Sequence, residues 1–296
     1  MMRVSDLIPL PAERSEFRDD QRLMGAVLVQ AGKLKPEDAD RILKHQQERG
    51  LRFGDAGREL GLLDASDIEF ALARQFNFPY LRPGESKVSE EVVAAYDPFG
   101  AQAEALRNLR SELKLRWFDR DGACKALAVI SGARGEGRSY ITANLAMVFA
   151  QLGARTLLID ADLRNPRQHQ LFGVEGRVGL SAVLSERAGL EAVQRVAPIP
   201  NLSVLPAGTR PPNPVELLAR PLFGEVLRHL AAQVDVVLLD CPATGESADA
   251  QTIAVQAGAA LIVARKNSAR KWRVQGTFDR VAQAKAMIVG AVLNDF

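Results

Sequence analysis

Beyond Lys125 the chain alternates short apolar runs with helical stretches, and this alternation restricts its fold more than any other feature. The runs are "ALAVISG", "RTLLIDAD", "LSVLPAG", "DVVLLDCPA", "AALIVARKN" and "MIVGAVLND". Each is continuously apolar rather than alternating, as expected of strands buried on both faces. Amphipathic helices between such strands imply an α/β architecture, a mostly parallel sheet flanked by helices. Ligands of such sheets bind beyond the carboxyl ends of the strands. The glycines and aspartates of this sequence fall there.

The first run leads into Gly132-Ala133-Arg134-Gly135-Glu136-Gly137-Arg138-Ser139-Tyr140 and then the helical "ITANLAMVFAQLG". Two glycines at this spacing, followed by a basic residue and a serine between strand and helix, form the pattern of a phosphate-binding P-loop. The glycines let backbone N–H groups turn inward around phosphate oxygens, and the helix N-terminus adds partial positive charge. Ser139 is placed to offer its hydroxyl to a magnesium ion bridging two phosphates. Arg138 stands where lysine is usual. Arginine keeps the charge and offers a bidentate fork. Its planar head is bulkier than an ammonium and suits a transition state matched to a point charge less well. Nucleotide binding is therefore expected to be more secure than turnover. Two more strand ends carry carboxylates, Asp160 and Asp162 in "LLIDADLR" and Asp240 in "VVLLDCPA". A carboxylate ending a buried strand must be paired or metal-bound. With the P-loop, these point to a magnesium–nucleotide site rather than to coincidental caps and turns.

Upstream the character changes. Residues 21–80 read as a small helical N-terminal domain built from a repeat with an offset of 29 residues, pairing Gly25 with Gly54, Gly32 with Gly61, Leu34 with Leu63 and Asp38 with Asp67. Each copy is a short helix, a glycine stop and a second helix opening on acidic residues. Residues 1–20 are expected to be a disordered or extended arm, 81–100 a linker with one short helix, and 101–296 the P-loop domain. The composition, 47% apolar and 25% charged over 296 residues, is that of a globular chain. A net charge of +2 gives no reason to expect a nucleic-acid partner. Cys124 and Cys241 lie in or beside apolar runs without metal-ligand spacing, so both are expected as buried thiols. No run reaches the roughly 18 apolar residues of a membrane span, and the N-terminus is no secretory signal. A cytoplasmic protein is expected, peripheral at the inner membrane only through a partner.

"GEGRS", "LLIDADLRNP", "GLS" at 179–181, "PAGTRPPNPVELL", "LLDCPA" and "VLND" together give residues 98–296 a resemblance to the bacterial tyrosine kinases that regulate exopolysaccharide and capsule export. The EpsG-type chain-length-determinant kinases, which carry an extra N-terminal domain, look most similar, and in them the arginine variant of the loop is normal. The resemblance implies an ATP-dependent protein-tyrosine kinase using ATP and magnesium. Gly132, Gly135, Glu136, Gly137, Arg138, Ser139 and Tyr140 would form the nucleotide cradle. Asp160 and Asp162 would be the second Walker motif, one of them orienting or deprotonating a tyrosine hydroxyl, with Arg138 also catalytic. Ser139, Asp160 and Asp240 would serve the metal, Asp240 through water. Asn294 would sit near the base, or else be a polar strand end. Glu104, Arg107 and Arg110 match the family's Glu-x-x-Arg-x-x-Arg oligomerisation motif, which implies a homo-oligomer; an ordinary solvated helix face is the alternative.

Two features depart from that family. The sequence stops at "AVLNDF" without a tyrosine cluster, and its three tyrosines are Tyr80, Tyr96 and Tyr140. The expected acceptor is another protein or Tyr96, unless the nucleotide cycle matters more than the transfer. The attached transmembrane helices are also missing, which implies a separate membrane partner of the polysaccharide co-polymerase type whose cytosolic tail completes the site. The helical repeat resembles the N-terminal domain of type II secretion and pilus ATPases, some of which bind cyclic di-GMP through Arg-Leu-Gly. Arg52-Phe53-Gly54 keeps the arginine and glycine of that motif, and Leu23-Met24-Gly25 keeps only the glycine. A cyclic di-GMP site at Arg52 and Gly54 and a helical docking module both remain open. Two other functions stand beside the kinase. A ParA/MinD-type ATPase is disfavoured because Ala133 occupies its second-lysine position, and a nucleotide-switched non-catalytic scaffold also remains.

Overall fold

The computed structural model describes residues 24–75, 79–120, 126–245 and 247–295. The expected arm at 1–20, Leu23 and Cys124 lie outside them. The described residues divide into two compact units, one ending at Tyr80 and the other beginning at Leu81.

The first unit contains α1 (Met24–Gln30), α2 (Pro36–Arg49), α3 (Phe53–Glu59) and α4 (Ala65–Gln75). α1 packs on α4, and α2 packs on α3. Leu28, Ile42, Ala56, Leu63 and Phe70 form its core. The repeat explains its paired glycines. A Cβ on Gly25 would lie 3.1 Å from the Phe53 ring, and one on Gly54 would lie 3.1 Å from Ile68 Cδ1. Gly54 thus has a packing reason to be glycine. Arg52 is the exposed residue preceding α3 and makes no side-chain cap bond to it.

The second unit is built on seven strands: β1 (Ala126–Ser131), β2 (Thr156–Asp160), β3 (Gln194–Arg195), β4 (Leu202–Leu205), β5 (Val236–Asp240), β6 (Ala259–Arg265) and β7 (Met287–Asn294). Their order is β3-β4-β2-β5-β1-β6-β7. Every pairing is parallel except β3 with β4. The six apolar runs became β1, β2 and β4 to β7. β3, two residues long and polar, carries no apolar signal and exists only as an edge pairing.

One face of the sheet is covered by α9 (Leu180–Leu184), α10 (Pro214–Leu218), α11 (Pro221–Ala231), α12 (Asp249–Ala257) and α13 (Lys271–Gln283). The other is covered by α5 (Val93–Tyr96), α6 (Ala101–Leu113), α7 (Arg138–Gln151) and α8 (Gln168–Phe172). β1 shows the pleat at work, with Ala126, Ala128 and Ile130 in one core and Leu127 and Val129 in the other. α7 is buried almost all round because the sheet lies on one side of it and α5 and α6 on the other.

The expected linker at 81–100 is corrected by this packing. Val88, Val92, Ala94 and Ala95 belong to the core over α7. Ser89 N donates to Leu171 O at 2.8 Å, and Ala94 N donates to Asn144 Oδ1 at 3.0 Å. Asn144 Nδ2 returns a bond to Glu91 O at 2.9 Å, and Gln151 Nε2 donates to Ala94 O at 2.7 Å. The segment is a strap fastened to α7. Its turn formers and charges gave a linker-like composition, but Leu81, Val88, Val92, Ala94 and Ala95 are all buried. Tyr96 is half-buried and its hydroxyl donates to Val88 O, so this tyrosine is a fastening of the strap and not a presented acceptor. No helix among the described residues is long and apolar enough to cross a membrane.

Replacing Asn144 with alanine leaves Ala94 N–H and Glu91 O without their buried partner. The expected loss is about 1–3 kcal/mol of unfolding free energy. Urea denaturation measures it, and proteolysis within residues 81–97 should accelerate in parallel.

Candidate nucleotide-binding site

Parallel pairing places the carboxyl ends of β1, β2 and β5 side by side. Asp160 and Asp240 are register partners, and Val129 pairs with Asp240. Ala161 N donates to Asp240 O at 2.8 Å and Cys241 N to Val129 O at 3.2 Å, so the pairing runs past the strand ends into the loops. Here the chain turns through Gly135 and Gly137 at φ +76° and +93°, values only glycine adopts without strain. α7 starts immediately afterwards.

Asp160 is 0% exposed and Asp240 1%. Asp160 accepts backbone N–H bonds from Asp162 at 3.3 Å, Arg167 at 3.0 Å and Gln168 at 2.9 Å. Asp240 Oδ2 accepts Gln168 Nε2 at 2.8 Å, and Ser139 also hydrogen-bonds this carboxylate. Burial and the neighbouring Asp240 charge push the Asp160 carboxyl well above the usual range. Burial also pushes Asp240 up, opposed by Arg138, Gln168 and Ser139. The Cys241 thiol, buried beside them, is pushed well up by burial and by Asp240 and is therefore inert.

Arg138 does not reach outward. Its Nε donates to Cys241 O at 2.7 Å, its Nη1 to Ser131 Oγ at 2.5 Å and to Ala133 O at 2.8 Å, and its Nη2 lies 3.8 Å from Asp162 Oδ2. One guanidinium thus ties the end of β5 to the phosphate loop. Glu136 braces the same loop by accepting Ala133 N at 3.1 Å, and Asn294 Nδ2 donates to Glu136 O at 3.3 Å. Asp162 Oδ1 accepts Arg164 N and Asn165 N, and Arg164 Nε pairs with buried Asp249 Oδ2 at 2.8 Å. This joins the loop after β2 to the start of α12.

Above these strand ends opens a cavity of 620 Å³ lined by Gly135, Gly137, Arg138, Ser139, Tyr140 and Asp162 among the expected residues. Glu91, Arg134, Asn165, Arg167 and Arg265 line it as well. Gly132, Glu136, Asp160, Asp240 and Asn294 do not line it. Of the two carboxylates expected to form the second Walker motif, Asp162 meets the cavity while Asp160 accepts three backbone N–H bonds. Tyr140 is half-buried, and burial together with Glu91 raises its hydroxyl pKa. Glu104 and Arg107 form an ion pair at 2.5 Å within α6, Arg107 also donates to Pro98 O, and Arg110 Nη1 donates to Val148 O at 2.9 Å.

A metal fits this site. Asp240 Oδ1 and Gln168 Oε1 are buried and have no hydrogen-bond partner. Unpaired acceptors at a carboxylate are what a hydrated cation satisfies. No group of three or more His, Cys, Asp or Glu among the described residues forms a metal cage.

Gln168 is the residue that sequence reasoning missed. It is fully buried, and its amide donates to both Asp240 Oδ2 and Ser139 O, the latter at 3.1 Å. In "RNPRQHQ" nothing but its polarity beside an apolar helix face marks it. Gln168→Leu should lower divalent-dependent nucleotide affinity by about tenfold, through one lost buried bond to a charged group. Asp240→Asn should abolish the metal dependence while leaving the melting temperature of metal-free protein unchanged or raised, because a buried charge is removed. Calorimetry with and without chelator checks both.

Residues 123–295 match the family model described as ParA: NUBPL iron-transfer P-loop NTPase. The chain is 34% identical over 209 residues to tyrosine-protein kinase YwqD of Bacillus subtilis, covering 71% of this chain and 87% of that one. It is 28% identical over 294 residues to the tyrosine-protein kinase wzc of Salmonella typhimurium, where it spans only 40% of the longer relative. Among solved structures, the kinase domain of Escherichia coli tyrosine kinase ETK matches with a TM-score of 0.66 and 31% identity, over 69% of this chain and 79% of that one. With the phosphate loop, the paired carboxylates and this likeness in hand, the chain belongs to the bacterial tyrosine-protein kinases, P-loop enzymes that work on nucleotide with a divalent metal.

Proposed function

We propose that this chain transfers the γ-phosphoryl group of ATP, with magnesium, to a tyrosine hydroxyl of a protein in exopolysaccharide or capsule export. The observation that carries the reading is the convergence of Ser139, Asp162 and Asp240 at one end of the sheet, where the phosphate loop closes on them. Magnesium would neutralise phosphate charge there, held by Ser139 and, through water, by Asp240. Backbone N–H groups of residues 135–139 would bind the phosphates. Asp162, which lines the cavity, would accept the proton of the incoming hydroxyl, and the Asp160 loop would hold it in place. Phosphoryl transfer depends mainly on positioning and charge neutralisation, which this set supplies.

Tyr80, Tyr96 and Tyr140 are all half-buried, which favours a tyrosine of another molecule as the acceptor. The membrane component of the export machinery, a polysaccharide co-polymerase with a cytosolic tail, is the proposed partner. It would hold this chain at the inner membrane. Self-association through α6 would use exposed Glu104 and a re-paired Arg107, since Arg110 is engaged with α7. The first unit is read as a helical docking module, because packing on Ile68 explains Gly54 without a cyclic di-GMP ligand. A nucleotide-switched regulator is the second reading, favoured by Arg138 being committed to Cys241, Ser131 and Ala133.

Labelled ATP, magnesium and the partner's cytosolic tail distinguish these. Label on tyrosine that Asp162→Ala reduces at least about a hundredfold supports the kinase. Release of phosphate without label on protein supports the switch and rejects the transfer reaction. Glu104→Ala with Arg107→Ala should shift the molecular mass in light scattering to that of a smaller species; an unchanged mass rejects the α6 interface.

A further inference from the structure

Six of the sixteen residues from Arg265 to Arg280 are basic and one, Asp279, is acidic, although the whole chain carries a net charge of only +2. This stretch holds the turn after β6 and the first part of α13, and Lys266, Arg270, Lys271, Trp272 and Arg273 are all exposed. Arg270 is the N-cap residue of α13, Lys271 opens the helix, and its first turn contains no acidic residue. Cations at a helix N-terminus oppose the helix dipole and lower stability. In the same turn Trp272 is 64% exposed, with the Arg273 guanidinium 5.1 Å from its ring centroid. Exposed indole is also unfavourable in water. Neither feature serves folding. On one flank of α13, Lys266, Lys271, Phe278 and Leu293 line a cavity of 710 Å³, and Phe278 is 47% and Leu293 66% exposed. Trp272 and Arg273 face a different cavity on the other flank. Lys266 pairs with Asp295 at 2.7 Å, with both side chains about half exposed or more. An exposed pair of that kind contributes little and exchanges readily for another anion, so docking requires none of these cations to be unpaired.

Cations set around exposed apolar side chains match a surface that is anionic outside and hydrocarbon beneath. Tryptophan settles at the headgroup level of a bilayer, and long basic side chains lay their stems along apolar surface while the charge reaches outward. A nucleic acid would meet the charges and stack on the indole, but it offers nothing to Phe278 and Leu293. We propose that the start of α13 and the turn before it form a docking surface for an anionic phospholipid bilayer. Trp272 would sit among the headgroups, with Arg270, Lys271 and Arg273 on lipid phosphates. The chain would then touch the membrane directly, and a protein partner there would add a second contact rather than supply the only one.

The test mixes the full chain with vesicles of phosphatidylcholine, alone or with phosphatidylglycerol, that contain no export protein. Flotation gives the bound fraction. Tryptophan fluorescence gives the contact, since Trp117, the other tryptophan of the chain, is buried. Anionic vesicles should bind at least about tenfold tighter than neutral ones, and added salt should weaken that binding. Trp272 emission should shift to the blue and resist quenching by iodide. Arg270→Gln and Lys271→Gln should each weaken binding about fivefold, the scale of one cation at an anionic surface. Neither should lower the melting temperature, because each removes a cation from a helix N-terminus, and this separates docking from a structural role. Trp272→Ala should weaken binding and abolish the blue shift. Equal binding to both vesicle types, binding to neither, or charge variants that bind as the unmodified chain does overturns the proposal. A duplex oligonucleotide that binds more tightly and strips the chain from vesicles also overturns it, and assigns the surface to nucleic acid. Because the vesicles hold no protein partner, failure here leaves the kinase and partner readings untouched.

Discussion

Two carboxylates sit side by side where a parallel sheet would ordinarily continue as hydrocarbon, and the rest of the site is arranged around them. Asp160 and Asp240 are partners on adjacent strands, both out of contact with solvent. Removing two like charges from water is costly unless their lone pairs and charge are met. Three backbone N–H groups meet Asp160, while Gln168, Ser139 and the nearby Arg138 charge meet Asp240. The compensation is incomplete: both carboxyls are pushed up, and Asp240 Oδ1 is left without a partner. A divalent cation would supply what is missing, since a bound ion is the largest local charge and inverts this pKa logic. Binding of metal and nucleotide would then be coupled to the stability of the strand ends, because a ligand that binds only the folded state stabilises it.

The same constraint gives a physical reason for arginine in place of lysine. The Arg138 fork reaches Cys241 O, Ser131 Oγ and Ala133 O together, and its outer nitrogen faces Asp162. A single ammonium on a flexible stem cannot span acceptors spread across a loop and a strand end in this planar arrangement. Arginine therefore closes the phosphate loop onto β5 from inside. What it contributes to a transferring phosphate depends on how far nucleotide draws it away from these carbonyls. On the proposed reading this keeps turnover and switching close competitors.

Much of this was legible in the sequence. Six continuous apolar runs became six strands, because residues buried on both faces of a sheet leave an unbroken signal. Glycine spacing placed the phosphate loop, and strand-terminal aspartates placed the carboxylates. The remainder depended on contacts between segments far apart in the chain. Gln168 matters only because β2, β5 and α7 bring Asp160 to its backbone N–H and both Asp240 and Ser139 O within reach of its side chain. Asn144 looks like an ordinary polar residue in an apolar helix until the strap at 81–97 lies across it. Turn-rich composition made that strap resemble a linker, and no local pattern reveals that four scattered apolar residues share one buried side. Asn294, expected near a base or as a polar strand end, braces Glu136 O, a contact that depends on where β7 ends relative to the loop.

The strap also gives the first cavity a movable wall. Glu91 lines the cavity and pairs at 2.7 Å with Arg167, which follows the loop that carries Asp162. Both side chains are about half exposed, so the pair is worth little and opens readily. The backbone beneath it differs: Glu91 O and Ala94 N are both held by buried Asn144, in the helix whose first turn contains Ser139. A weak contact at the rim over a strong anchorage at the base lets side chains yield to an entering tyrosine while the phosphate-binding helix stays fixed. Catalysis by positioning requires that combination, because a shift of the helix would carry Ser139 away from Asp240, whereas a swing of Glu91 leaves both where they are.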